Sequence, residues 1–198
     1  MTMELNELVG LAAFIAVGTG SPGPNNTLLL ASGMNFGFRR TVPHVIGTSI
    51  GMALLVAVSA MGVGAVVTAV PAVAVALKLG ASGYLLVLAF RLVRGFSMDR
   101  AALPDPFTVA RATAFQFINP KGWFFALALG TLVESDGSSI TASTVVIAVV
   151  VVIVGAIATL WAVGGSMLDR VLQGARARRV TGIALGVLLA GSVILIWE

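Results

Sequence analysis

The stretch 19-TGSPGPNNTLLLASG-33 decides how this chain is read. Pro22, Gly23 and Pro24 are poor material for a continuous helix, because each proline removes a backbone donor and pushes away the carbonyl four residues earlier. Asn25 and Asn26 follow directly, and an amide is expensive to leave unpaired in an apolar medium. The sequence on both sides nevertheless reads as membrane.

Of 198 residues, 58% are apolar and only 10% charged, with a mean hydropathy of +1.04. Soluble domains carry about 25% charged residues, so this chain lacks the polar surface to stay in water. Apolar runs of roughly 20 residues, enough to cross a bilayer, form six blocks: Leu5 to Ala31, His44 to Val70, Ala72 to Val93, Ala112 to Val133, Ile140 to Met167 and Val180 to Trp197. The fifth contains TVVIAVVVVIV, which propensity alone assigns to a strand. In hydrocarbon every backbone group must be satisfied within its own segment, which favours a helix there. A transmembrane barrel would show alternating polarity in segments of about 10 residues, and these blocks do not alternate. The expectation is an all-α integral membrane protein with six transmembrane helices.

The opening MTMELNELVG has two glutamates and no positive region, so the first block is expected to stay in the mature protein. The absence of cysteine excludes disulfides and thiolate chemistry. A pI near 10.7 does not point to nucleic acid, because the charges form no soluble basic domain. Ten of the twelve basic residues instead fall at three connections: Arg39 and Arg40; Arg91, Arg94, Arg100 and Arg111; Arg170, Arg176, Arg178 and Arg179. The other side holds Glu4, Glu7, Glu134, Asp136 and Glu198. The positive-inside rule makes the basic connections cytoplasmic and predicts both termini outside a bacterial inner membrane. Asp99, Asp105 and Asp169 fall on the basic side, which the rule tolerates.

Six spans divide into three and three. The single membrane domain, 1–198, then comprises repeat one (1–95), a cytoplasmic loop (96–110) and repeat two (111–198). SPGPNN at 21–26 and INPKGW at 118–123 occupy corresponding first spans, about half the chain apart. Three is odd, so the halves insert with opposite orientation, and inverted repeats with matching broken helices point to a transporter. Counted from the cytoplasmic ends at about 1.5 Å per residue, Pro22 and Pro120 both fall near mid-bilayer.

Each break is expected to expose backbone. Pro22 frees the carbonyl of Gly18, Pro24 that of Gly20 and Pro120 that of Gln116. The half-helices that follow start with unpaired N–H groups. Asn119 then Pro120 reads as N-cap then N1, and Asn25 suits the same capping role. Two positive half-helix ends beside Lys121 make an anion-seeking site. Prolines also kink membrane helices that bind nothing, and asparagines also join helices. Lys121 tips the balance, because a charge at the bilayer centre costs at least about 2.5–3.5 kcal/mol on insertion scales. No Asp or Glu lies well inside a block to pair with it. Either a substrate anion pairs with Lys121, or the amine sits deprotonated until a proton arrives.

Around the breaks, Trp123 is placed to present its ring to a cation or to pack between helices. Phe115, Phe117, Phe124 and Phe125 read as packing or lipid-facing. Trp161 and Trp197 read as interfacial anchors, and Lys78 as snorkelling outward. His44, the single histidine, is read as an interfacial residue with a proton relay as the alternative. Gly47 to Gly51 and Gly182 to Gly186 suit close helix packing, within the chain or in a homodimer. No phosphate-binding glycine loop, HExxH or paired nucleophile is present, so neither an enzyme nor a metal or cofactor site is expected.

With SPGPNN and INPKGW on the page, the chain resembles the LysE/RhtB family of bacterial amino-acid exporters. GFRRTVPHVIGTSIG and LKLGASGYLLVLAFRLVRG carry further resemblance. By motif, the resemblance implies site residues Pro22, Gly23, Pro24 and Asn25, with Asn119, Pro120 and Lys121; Asn26 and Trp123 join them from the local reading. It implies efflux of amino acids, driven by protons. Neutral amino acids such as threonine, homoserine or leucine-like ones are favoured, since a cationic side chain would want a carboxylate that is missing. The alternatives are a small-anion channel or carrier, and a membrane structural or signalling subunit. Linear conductance would mark the channel, and indifference to loss of Lys121 the structural subunit.

Overall fold

A proline–glycine break, a long helical hairpin and three further apolar helices organise the chain. The computed structural model describes residues 5–63, 69, 71–97, 105–134, 140–172 and 174–197. These are helical, with no strand among the described residues. The helices are α1 (Leu5–Gly20), α2 (Pro24–Val58), α3 (Pro71–Ser97), α4 (Val109–Ile118), α5 (Pro120–Glu134), α6 (Ile140–Val171), α7 (Ala175–Gly191) and the short α8 (Ile194–Trp197). A π-helical turn, Ser59–Val63, extends α2. The valine-rich run lies within α6, as the backbone argument required over strand propensity.

Helix α2 is two helices in space. Gly37, with φ 77° and ψ 166°, interrupts it, and that left-handed φ carries no Cβ penalty for glycine. Residues 24–36 and 38–58 fold back on each other. Ser32 Oγ lies 2.9 Å from Thr41 Oγ1, and Thr48 Oγ1 donates to Asn25 Oδ1 at 3.2 Å. The first two apolar blocks are thus joined by one glycine, where the sequence suggested a connection of a dozen residues.

Among the described residues, three helical stretches are by length and composition apolar enough to cross a membrane: Pro24–Gly62, which is folded at Gly37, Ala74–Arg94 and Ser143–Val171. In the last, only 28% of the most apolar window is buried within the protein. Val152 and Leu160 point outward from it, each 66% exposed. Such an apolar exterior suits a multi-pass membrane protein.

The hairpin packs in two directions. Towards α6 it makes a close crossing: Gly33 meets the backbone at Ala162, and Gly165 meets the backbone at Leu30. A Cβ at either glycine would run into the opposing main chain. Towards α4, Gly47 faces Val109 and Ala112, and Gly51 faces Thr113 and Gln116; Thr113 Oγ1 donates to Gly47 O at 3.1 Å. Gly186 packs on Val93 and Ala89 of α3, and Gly182 is buried. Both small-residue faces read from sequence are therefore used within the chain, and neither is left for a second copy.

Leu11, Ile15, Met52, Leu55, Phe125, Leu129 and Val150 form one apolar cluster between α1, α2, α5 and α6. Leu28, Leu85, Leu88, Phe107, Phe115 and Leu189 form another against α3 and α7. The remaining predicted anchors take specific partners. Trp197 Nε1 donates to Ser82 Oγ at 3.1 Å, and Lys78 sits over the Trp197 ring at 5.7 Å. Asp169 pairs with Arg178 at 2.7 Å across a turn that holds Gly174 at φ 107°. Glu4, Asp99, Arg100, Asp136, Glu198 and residues 98–104 of the expected central loop lie outside the described residues.

Candidate functional site

The two proline motifs meet. Helix α1 ends at Gly20 and α2 restarts at Pro24, with Gly23 extended at the N-cap and no side chain capping it. In the second half α4 ends at Ile118, Asn119 is extended (φ −85°, ψ 109°), and α5 starts at Pro120. Lys121, one residue into α5, reaches back across the gap. Its Nζ donates to Ser21 O at 2.6 Å and to Ser21 Oγ at 2.8 Å. Gly23 makes room for this reach: a Cβ there would sit 3.0 Å from Lys121 Cδ.

A polar chain runs beside that contact. Asn25 Oδ1 accepts from Thr48 Oγ1 and, at 3.0 Å, from Gln116 Nε2. Gln116 Oε1 in turn accepts from Asn119 Nδ2 at 3.1 Å. Asn25, Thr48, Gln116 and Asn119 are all buried, so an unbroken set of amides and a hydroxyl links both halves of the chain inside an apolar shell. Asn119 Oδ1 is left over, buried and without a hydrogen-bond partner. These residues line a cavity of about 40 Å³ with Thr19, Gly23, Asn26, Lys121 and Phe125, closed on the α6 side by Val154, Ile157 and Ala158. Among the described residues, Lys121 is the one charged residue in the lining, which holds no Asp or Glu.

The family model of the LysE type translocator matches residues 16–195. The chain belongs to this family. It is therefore a translocator and not an enzyme. The cysteine/O-acetylserine efflux protein of Escherichia coli (strain K12) is 26% identical over 172 residues, covering 85% of this chain and 86% of that protein. The protein of the same description from Salmonella typhimurium (strain LT2) is 25% identical over 155 residues, covering 77% of this chain and 79% of that protein. No solved structure matches significantly.

In this LysE-type translocator the predicted site residues separate. Gly23, Asn25, Asn26, Asn119 and Lys121 line the cavity; Pro22, Pro24 and Pro120 shape its rim without lining it. Trp123 is turned away: its indole N–H donates to Phe117 O at 2.8 Å, and its ring packs on the α1–α6 cluster. Neither asparagine caps its helix through its side chain, because Asn25 and Asn119 direct their amides to Gln116.

The expected free carbonyls are also partly occupied. Gly18 O accepts from Ser21 Oγ at 3.0 Å and Gln116 O from Asn119 N at 3.2 Å. Gly20 O accepts from Trp161 Nε1 at 3.2 Å, so Trp161 braces the first break. Asn26 Nδ2 grips the same break, donating to Thr19 O at 2.6 Å and Ser21 O at 3.0 Å. Sequence reasoning missed Thr48 and Gln116 as lining residues. Gln116 stands one turn before Asn119, a spacing that puts both on one face; Thr48 was hidden in a motif read only for its glycines.

Proposed function

We propose that this translocator exports neutral amino acids from the bacterial cytoplasm through the site between its two proline breaks. The observation that carries the reading is the Lys121–Ser21 contact, which joins the two halves at their breaks. Lys121 receives the substrate α-carboxylate, helped by the N–H groups at the two helix starts. The hydrogen-bond ladder after the first break begins with Thr27 N–H on Gly23 O, which leaves the N–H groups of Asn25 and Asn26 ahead of it. Asn119 Oδ1, the unpartnered acceptor, takes the ammonium group. Phe125, Val154 and Ile157 surround an uncharged side chain, and no carboxylate in the lining would balance a cationic one. Cysteine and O-acetylserine, for which the two relatives are named, both have uncharged side chains.

The remaining features of the proposal follow the same geometry. Helix α1 with the first limb of α2 corresponds to α4 with α5, the second limb to α6, and α3 to α7, which supports six spans arranged as inverted repeats. Arg39 and Arg40 directly follow the Gly37 turn, which supports a cytoplasmic tip and outside termini. A water needs about 10–15 Å³ of such space, so the cavity holds roughly three waters and no amino acid. Transport then requires one repeat to rock against the other. Lys121, held by neutral oxygens alone, can exchange substrate carboxylate for a change in protonation, which would couple export to the proton gradient.

Vesicles carrying the purified protein test this reading. Saturable flux of a neutral amino acid that slows when the pH gradient is collapsed is the expected result. Flux indifferent to that gradient would remove proton coupling, and a linear anion conductance without amino-acid flux would replace the carrier by a channel.

A further inference from the structure

A second cavity, of about 40 Å³, lies along the same hairpin nearer the Gly37 turn. Its lining includes Ser32, Asn35, His44, Asp105 and Phe107. His44 is only 1% exposed, stacked on Phe107 with ring centroids 4.8 Å apart, and neither ring nitrogen has a hydrogen-bond partner. Asn35 Nδ2 donates to Ala31 O at 2.8 Å, while its Oδ1 is buried and unpartnered. Two orphaned polar side chains facing one cavity carry a desolvation penalty that a ligand would relieve.

The groups present select that ligand. Thr41 donates its hydroxyl proton to Gly37 O at 2.9 Å, so Ser32 donates to Thr41 across their 2.9 Å contact and keeps lone pairs to offer. Asn35 Oδ1 and Asp105 are acceptors, and a neutral imidazole supplies one acceptor and one donor. Arg111, over the Phe107 ring at 4.9 Å, stands outside the lining. Acceptors predominate, which fits a primary ammonium with its three donors. His44 sits one turn, about 5.4 Å, from Thr48 of the first cavity, on the side where Arg39 and Arg40 place the cytoplasm.

We infer that this cavity, with room for a head group alone, is an amine-binding loading site, in which His44, Asn35, Ser32 and Asp105 take the ammonium group of a substrate, its remainder staying outside, before it passes to Lys121. Phe107, stacked on His44, covers it. The word loading rests on the proposed export from the cytoplasm; amine binding does not.

The single histidine makes the test specific. The full chain in nanodiscs, labelled with ¹⁵N-histidine, is titrated with propylammonium and with propionate, and the ring nitrogen resonances are followed. A saturable shift with propylammonium and none with propionate is expected, retained in Lys121→Met. Affinity should fall at least about tenfold, or 1.4 kcal/mol, in Asn35→Leu and in the solvent-facing variant Asp105→Asn. No saturable shift, an equal response to propionate, or loss of the shift in Lys121→Met would overturn the site. A retained shift in a protein that exports no amino acid would keep the site and remove the export reading.

Discussion

Lys121 is the residue on which the two halves of the chain meet, and its ligands rank the neighbouring substitutions. Ser21 offers both a carbonyl and a hydroxyl to Nζ. Ser21→Ala removes one of the two, a hydrogen bond from an ammonium whose loss costs about 1.5–3 kcal/mol, so export should fall at least roughly tenfold when radiolabelled substrate is followed. Asn119→Leu removes the unpartnered Oδ1 and the donor to Gln116 together. A hydrogen bond to a charged ammonium is worth about 1.5–3 kcal/mol, and the same assay should show a loss of at least tenfold. Trp161→Phe keeps the ring but strips the N–H from Gly20 O. Its effect should appear as a thermal destabilisation of at least about 1 kcal/mol. The motif residues were readable because proline and lysine are conspicuous in an apolar run. Which way Trp123 and Trp161 point was not readable, since it depends on helix rotation and, for Trp161, on a partner 141 residues away.

At the scale of elements, the helical state of the valine-rich fifth block was legible from backbone chemistry alone. The sharp turn at Gly37 was not. GMNFGFRRT, residues 33–41, contains two glycines, and only the inter-limb rungs Ser32–Thr41 and Asn25–Thr48 show which one turns. Gly37→Val would place a β-branched residue at positive φ, a strain of order 1–3 kcal/mol. Gly165→Val would drive a side chain into the Leu30 backbone, and overpacking of this kind costs typically 1–3 kcal/mol. Both should lower the unfolding temperature in detergent, and Gly165→Val should also separate α6 from the hairpin. An unchanged melting curve would contradict the turn at Gly37 for the first variant and the crossing with α6 for the second.

For the whole molecule, hydropathy and arginine placement made a membrane protein legible, while the buried chain of Asn25, Thr48, Gln116 and Asn119 had no local signature. It arises only when both halves pack. Topology has a direct check, because the natural chain lacks cysteine. A cysteine replacing exposed Arg40 should react with a membrane-impermeant maleimide only after the cytoplasmic side is opened, and one replacing exposed Leu5 should react in intact spheroplasts. The central claim is that the joined breaks form the transport site. It is tested most directly by amino-acid release from cells carrying empty vector, wild type, Lys121→Met or Lys78→Met, at matched membrane levels. Release of a neutral amino acid by wild type and Lys78→Met, reduced at least tenfold in Lys121→Met, is the predicted result. Equal release by wild type and Lys121→Met would contradict it.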